Sequence, residues 1–106
     1  MLQQMGEIGL RYLKRTLVEI ATLRGLLAEL RAGETTRRKE IEQLSHKIHG
    51  SGAMFGFDSL SREAHQVELT AAGDEADSAE LHAKLERLIG TLEEAAAVSA
   101  RERGIQ

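Results

Sequence analysis

The chain has 106 residues, a formal net charge of −3, no cysteine, no proline and 3% aromatic residues. A chain of this size builds one modest core, hence one domain. Its acidic balance disfavours nucleic acid, which demands clustered Lys and Arg, and the lack of cysteine excludes disulfides and thiolate metal sites. Strands favour β-branched and aromatic residues, which are scarce, while helix formers such as Leu and Ala dominate, so the composition predicts an all-α fold. No apolar run reaches the roughly 18 residues of a membrane span. The first residues, MLQQMGEIGL, lack the basic-then-apolar pattern of a secretory signal. A cytoplasmic protein is expected, and the start at Met1 fits a free-standing one.

Apolar residues stepping by threes and fours predict the first helix over about residues 7–32. Leu10, Leu13, Leu17, Ile20, Leu23, Leu27 and Leu30 form its stripe, and Gly33 is its stop. A second helix over about residues 36–54 starts from a Thr35 or Thr36 cap. Ile41, Leu44 and Ile48 are its apolar stripe, and Gly56 breaks it. A third, over about residues 59–72, is capped by Asp58 or Ser59, with Phe57 placed to staple its start. Leu60, Ala64, Val67 and Ala71 point inward. After a break at Gly73, Asp77 and Glu80 have the form of a capping box for a fourth helix over about residues 78–100. Leu81, Leu85, Leu88, Leu92 and Ala95 carry its stripe. Four amphipathic helices with short connections predict an antiparallel, up-down-up-down four-helix bundle. Glycines 33, 56 and 73 interrupt any longer coiled coil.

The stretch SHKIHGSG, residues 45–52, departs from ordinary helix chemistry. With Ile41, Leu44 and Ile48 centring the buried face, His46 lies about 170° away at 100° per residue. Gly50 and Ala53 follow it on the outer face, and His49 stands one turn on, toward the boundary. Glycine inside a helix costs roughly 0.5–1 kcal/mol relative to alanine. Two readings of that cost stay open. Gly50 keeps the face small so that another protein can approach His46, or Gly50-Ser51-Gly52 simply unwinds the helix end.

The segment LSHKIHGSGAMFGFDSLSREAHQVE resembles the histidine-containing phosphotransfer (HPt) domain family. His46, Ile48, Gly50, Ser51, Gly56, Leu60, Ala64, Val67 and Glu68 fall on its pattern. In motif the resemblance covers residues 44–68, and in architecture nearly the whole chain. It implies a four-helix bundle whose second helix exposes the phosphoaccepting histidine. Gly50-Ser51 selects His46, because the family places glycine four residues after its histidine, whereas His49 is followed there by Ala53. Where the family usually has lysine, three residues after the acceptor, this chain has His49. A protonated His49 beside the phosphoryl group, or Lys39 two turns earlier, are the expected substitutes.

The reaction implied is relay of a phosphoryl group from a receiver-domain aspartate to His46 and on to a second receiver. The partners implied are response-regulator receivers and a hybrid histidine kinase. Mg²⁺ is expected from the receiver, so the chain needs no cofactor of its own. It has no P-loop glycine spacing, and no kinase activity is expected. Glu42 and Ala53 are docking candidates on the outer face. Glu42 or Gln43 could hold the second imidazole nitrogen and set the tautomer. Tyr12, Met54 and Phe55 are candidates for the rim, with core packing the favoured reading. A monomer is expected.

Two other classes compete. A helical module can dock receivers or kinases without phosphotransfer. A metal-binding bundle is the less favoured alternative: His46 with His49, and His65 with Glu68, repeat an i,i+3 spacing, yet His46 should point outward and the inner positions are Leu, Ile and Ala. No metal ligand is therefore assigned. His65 is read as a boundary residue and His82 as solvated.

Overall fold

The computed structural model describes the backbone of residues 2–33, 36–54, 56–73 and 78–102, and the side chains of 11–33, 36–54, 56–73, 79–98, 100 and 101. It contains four helices, α1 (Leu2–Arg31), α2 (Arg38–Met54), α3 (Asp58–Ala72) and α4 (Ser78–Glu102), and no strand among the described residues. At 1.5 Å per residue, a helix of α1's length spans about 45 Å, which sets the 46 Å long dimension of the molecule. None of the helices is long and apolar enough to cross a membrane, judged on the described residues.

Polar pairs between helices give their directions. Arg24 reaches Glu93 and Arg31 reaches Glu86, so α1 and α4 run in opposite senses. Lys84 meets Thr70 and Thr91 meets Glu63, which makes α3 and α4 antiparallel. His46 meets Glu68 and the Ser61 hydroxyl donates to the His49 carbonyl, so α2 and α3 are antiparallel too. The most extensive packing joins α2 to α3, while α1 lies mainly on α4 and barely touches α2. The result is the all-α four-helix bundle that the apolar stripes required.

One core cluster runs the length of the bundle. Leu23, Leu81, Leu85 and Leu88 have no exposure at all, and Ile41, Ile48, Leu60, Ala64, Val67 and Leu92 are within 1% of none. Each fully buried aliphatic side chain of Leu or Ile size contributes about 1.5–3 kcal/mol of transfer free energy.

Several expected details change. Leu17 is 53% exposed. It lies about 120° from Leu23 around α1, and the buried face is completed instead by Tyr12, Thr16, Glu19 and Leu26. The Thr16 hydroxyl is satisfied by donating to the Tyr12 carbonyl at 2.8 Å. Burial pushes the Glu19 carboxyl above the usual carboxylate range, an effect that Arg15 and Lys47 offset in part. In α2 the buried residues are Ile41, Ser45, Ile48, Ser51 and Gly52, an arc of about 120°, and Leu44, within that arc, is only half-buried.

Helix ends differ as well. α2 starts at Arg38, beyond Thr36, so Thr36 is not at the capping position. α3 starts at Asp58 with Phe57 as its N-cap and no side-chain cap bond. Neither Asp58 nor Ser59 caps it. Phe57 instead stacks on Tyr12, with ring centroids 5.6 Å apart. Ala71, by contrast, is helical and buried as expected. Thr35, Phe55, Asp77 and the side chain of Leu10 lie outside the described residues.

The turns that hold α2 on α3 explain their register. The Phe57 amide donates to the Gly52 carbonyl at 2.8 Å and the Gly56 amide to Ala53 at 3.2 Å. This pair of bonds is a Schellman closure, which needs a left-handed residue at its penultimate position. Gly56 supplies it with φ +81°. At the other end, the Arg38 guanidinium donates to the carbonyls of Thr70 and Gly73, both at 3.0 Å. It thereby places a positive charge on the exposed carbonyls at the C-terminus of α3.

Candidate functional site

Small residues bring α2 and α3 together and so assemble the site. Ser45, Ser51 and Gly52 are buried on α2, opposite Ser61 and Ala64 on α3. A Cβ on Gly52 would stand 3.3 Å from the backbone nitrogen of Ser61, so the glycine lets the two backbones approach without crowding. Because Ser45 is fully buried while Leu44 is only half-buried, α2 turns its Ser45 side further inward than the apolar stripe predicts. His46 still faces water, but it also comes within reach of α3.

The consequence is a carboxylate–imidazole pair. Nδ1 of His46 is 2.8 Å from Oε2 of Glu68, while the His46 side chain remains 71% exposed. A carboxylate at that distance takes a hydrogen bond from Nδ1–H. The neutral ring then carries its lone pair on Nε2, the nitrogen turned away from Glu68. The tautomer partner is thus Glu68 of α3, not Glu42 or Gln43. Glu42 is instead paired with Lys39 at 3.4 Å. Glu68 fell on the family pattern but had no role assigned to it. Its signal was the His65-x-x-Glu68 spacing, whose direction toward α2 only the packing reveals.

An open depression surrounds the pair. Lys39, Glu42, Gln43, His46, Lys47 and Glu68 line it. Lys39 and Lys47 provide cationic groups there, and Lys47 was not among the residues nominated from sequence. Gly50 and Ala53 are exposed farther along α2, and nothing lies within 4 Å of where a Cβ on Gly50 would stand. His49 is half-buried, at the boundary where its position on the helix put it. Its ring centroid lies 4.7 Å from that of His65, and its Nδ1 is 3.9 Å from Oε1 of Glu68.

The remaining candidates separate. Tyr12 is buried, 5% exposed, and belongs to the core. Burial raises its phenol pKa above the ordinary value, while the hydrogen bond with Thr16 acts in the opposite direction. Met54, the last residue of α2, is 80% exposed, which overturns its favoured assignment to the core. His82 is not simply solvated, because it accepts a hydrogen bond from Arg31 at 2.6 Å and lies 3.2 Å from Glu86.

The described residues thus present a carboxylate-held imidazole in an open depression on the surface of a helical bundle. Residues 11–97 match the Hpt domain family, and the chain is a member of it. Hpt domains serve phosphotransfer in two-component signalling, alongside receiver domains and kinases. No curated protein and no solved structure matches the chain.

Proposed function

We propose that His46 is the phosphoacceptor of this domain and that it relays phosphoryl groups between receiver-domain aspartates. The observation that carries this reading is the 2.8 Å contact of its Nδ1 with Glu68 in a side chain that is 71% exposed. The Nε2 lone pair attacks the phosphorus of an aspartyl phosphate on a docked receiver. The N–P bond forms as the bond from phosphorus to the aspartyl oxygen breaks, and the electron pair leaves on the carboxylate. Attack moves positive charge onto the imidazole, and the Glu68 carboxylate on Nδ1–H stabilises that charge as it develops. The reverse step delivers the group to a second receiver.

Lys39 and Lys47 supply cationic neutralisation around the transferred phosphoryl group. Gln43 and His49 flank it, and the bare backbone at Gly50 with the small Ala53 admits the receiver surface, with Glu42 at the edge of the contact. Mg²⁺ comes from the receiver. The kinase that starts the relay is of the hybrid type, and the domain works as a cytoplasmic monomer.

The test is phosphoryl transfer from a labelled, phosphorylated receiver. Acid-labile, base-stable label should appear on the domain and vanish in His46→Gln. Label that survives in His46→Gln but is lost in His49→Gln would assign the acceptor to His49. A domain that binds receivers yet takes no label would reduce it to a docking module.

A further inference from the structure

We propose that His49, His65 and Glu68 form a binding site for a divalent transition-metal ion of the Zn²⁺ class. One nitrogen from each histidine and one oxygen of Glu68 all lie within 4.8 Å of one another. Nδ1 of His65 stands 3.6 Å, and Nδ1 of His49 3.9 Å, from the same atom, Oε1 of Glu68. These separations are too long for hydrogen bonds. They are close to the spacing of roughly 3.3–3.5 Å between ligand atoms of a tetrahedral zinc site with bonds of about 2.0–2.2 Å. A contraction of a few tenths of an ångström brings these two distances to that spacing, and the two histidine nitrogens close the third side within 4.8 Å.

A second observation marks the same spot. Nδ1 of His65 and Oε1 of Glu68 are both shut off from solvent and neither has a hydrogen-bond partner. Buried polar atoms rarely lack partners. Here the two face each other across a gap that a shared cation would close.

The surroundings hold the trio in place. The other oxygen of Glu68 is engaged by His46, which orients the carboxylate as an outer-sphere partner does. The Ser61 hydroxyl donates to the His49 carbonyl at 3.0 Å, tying α2 to α3 one turn from the ligands. His65 and Glu68 come from successive turns of α3, and His49 crosses from α2. Two imidazoles and a carboxylate leave a fourth position open to water, a donor set that suits Zn²⁺ and Co²⁺. It disfavours Mg²⁺ and Ca²⁺, which prefer oxygen throughout. The two histidines of α2 do not chelate together, because His46 takes the opposite oxygen of Glu68. This proposal departs from the expectation that no metal ligand is present. Binding is independent of whether His46 accepts phosphate.

The experiment is calorimetric titration of the untagged full chain with Zn²⁺, with visible absorption of the Co²⁺ form as a report on geometry. Expected are one ion per chain, tetrahedral Co²⁺ bands and no response to Mg²⁺. His65→Gln should weaken Zn²⁺ binding by at least about tenfold, whereas His82→Gln, whose side chain contacts Arg31 and Glu86 instead of the trio, should leave it within about twofold. Zn²⁺ should raise the melting temperature of the parent protein but not of His65→Gln. Helix content by circular dichroism controls for folding, and His49→Gln provides the same readout should His65→Gln fail to fold. Absence of saturable one-to-one binding overturns the proposal. So does a loss in His82→Gln as large as in His65→Gln, which would assign the ion to nonspecific chelation by surface histidines.

Discussion

Replacing Gly50 with alanine should stabilise the domain, and the same change two residues later should not. Gly50 lies inside α2, and a Cβ there meets nothing within 4 Å. Alanine then gains the full difference in helix propensity, about 0.8–1 kcal/mol, partly by restricting the unfolded chain. For a domain of this size that raises the melting temperature by roughly 4–8 °C. At Gly52 the same gain opposes a clash. The new Cβ stands 3.3 Å from the Ser61 nitrogen and 3.5 Å from both Leu60 Cγ and the Phe57 carbonyl. Two of those atoms are backbone and cannot swing aside. Overpacking of this kind costs about 1–3 kcal/mol, so Gly52→Ala should come out roughly neutral to about 2 kcal/mol destabilised. Urea denaturation of both variants, with the slope checked for constancy, measures the contrast. If Gly50 is retained for access, Gly50→Gln should be no less stable than the parent, yet accept phosphoryl groups at least about tenfold more slowly, a barrier change of about 1.4 kcal/mol. A destabilised Gly50→Ala, or a Gly50→Gln that is phosphorylated at the parent rate, would refute the reasoning.

Leu85 has no exposed surface, and Leu85→Ala should cost about 2–5 kcal/mol, visible as a large fall in the urea midpoint. Glu68→Ala should slow phosphorylation of His46 by about tenfold, the order set by a charge-assisted hydrogen bond of about 1.5 kcal/mol, and single-turnover kinetics with a phosphorylated receiver check this. Glu19→Gln should change the pH dependence of stability. The folded protein holds the Glu19 proton more tightly than the unfolded chain, so this group's contribution is present below its ordinary value of 4.5 and lost as the pH rises through the raised value. Denaturation at a series of pH values from about 4 to about 7 should show that loss in the parent and not in Glu19→Gln.

Helix number, the bundle and the outward direction of His46 were legible in the sequence because they follow from periodicity. A helix repeats every 3.6 residues wherever it packs, so stripes such as Leu81, Leu85, Leu88 and Leu92 declare their inner face unaided. Glycines 33 and 56 announced their turns for an equally local reason, since both adopt positive φ. The pattern of residues 44–68 likewise singled out His46 before any packing was known.

What only the tertiary structure decided depends on how far one helix is turned toward another. Leu17 and Leu44 are apolar, yet Thr16 and Ser45 occupy the buried positions beside them, because close helix contact rewards small side chains as well as greasy ones. That choice rotates α2 toward α3. The rotation brings Glu68 to His46 on one of its oxygens and leaves His49 and His65 around the other. Residues 22 positions apart in the chain carry no mutual periodic signal. The pairing of acceptor and carboxylate is therefore a property of the interface between two helices, invisible in either helix alone.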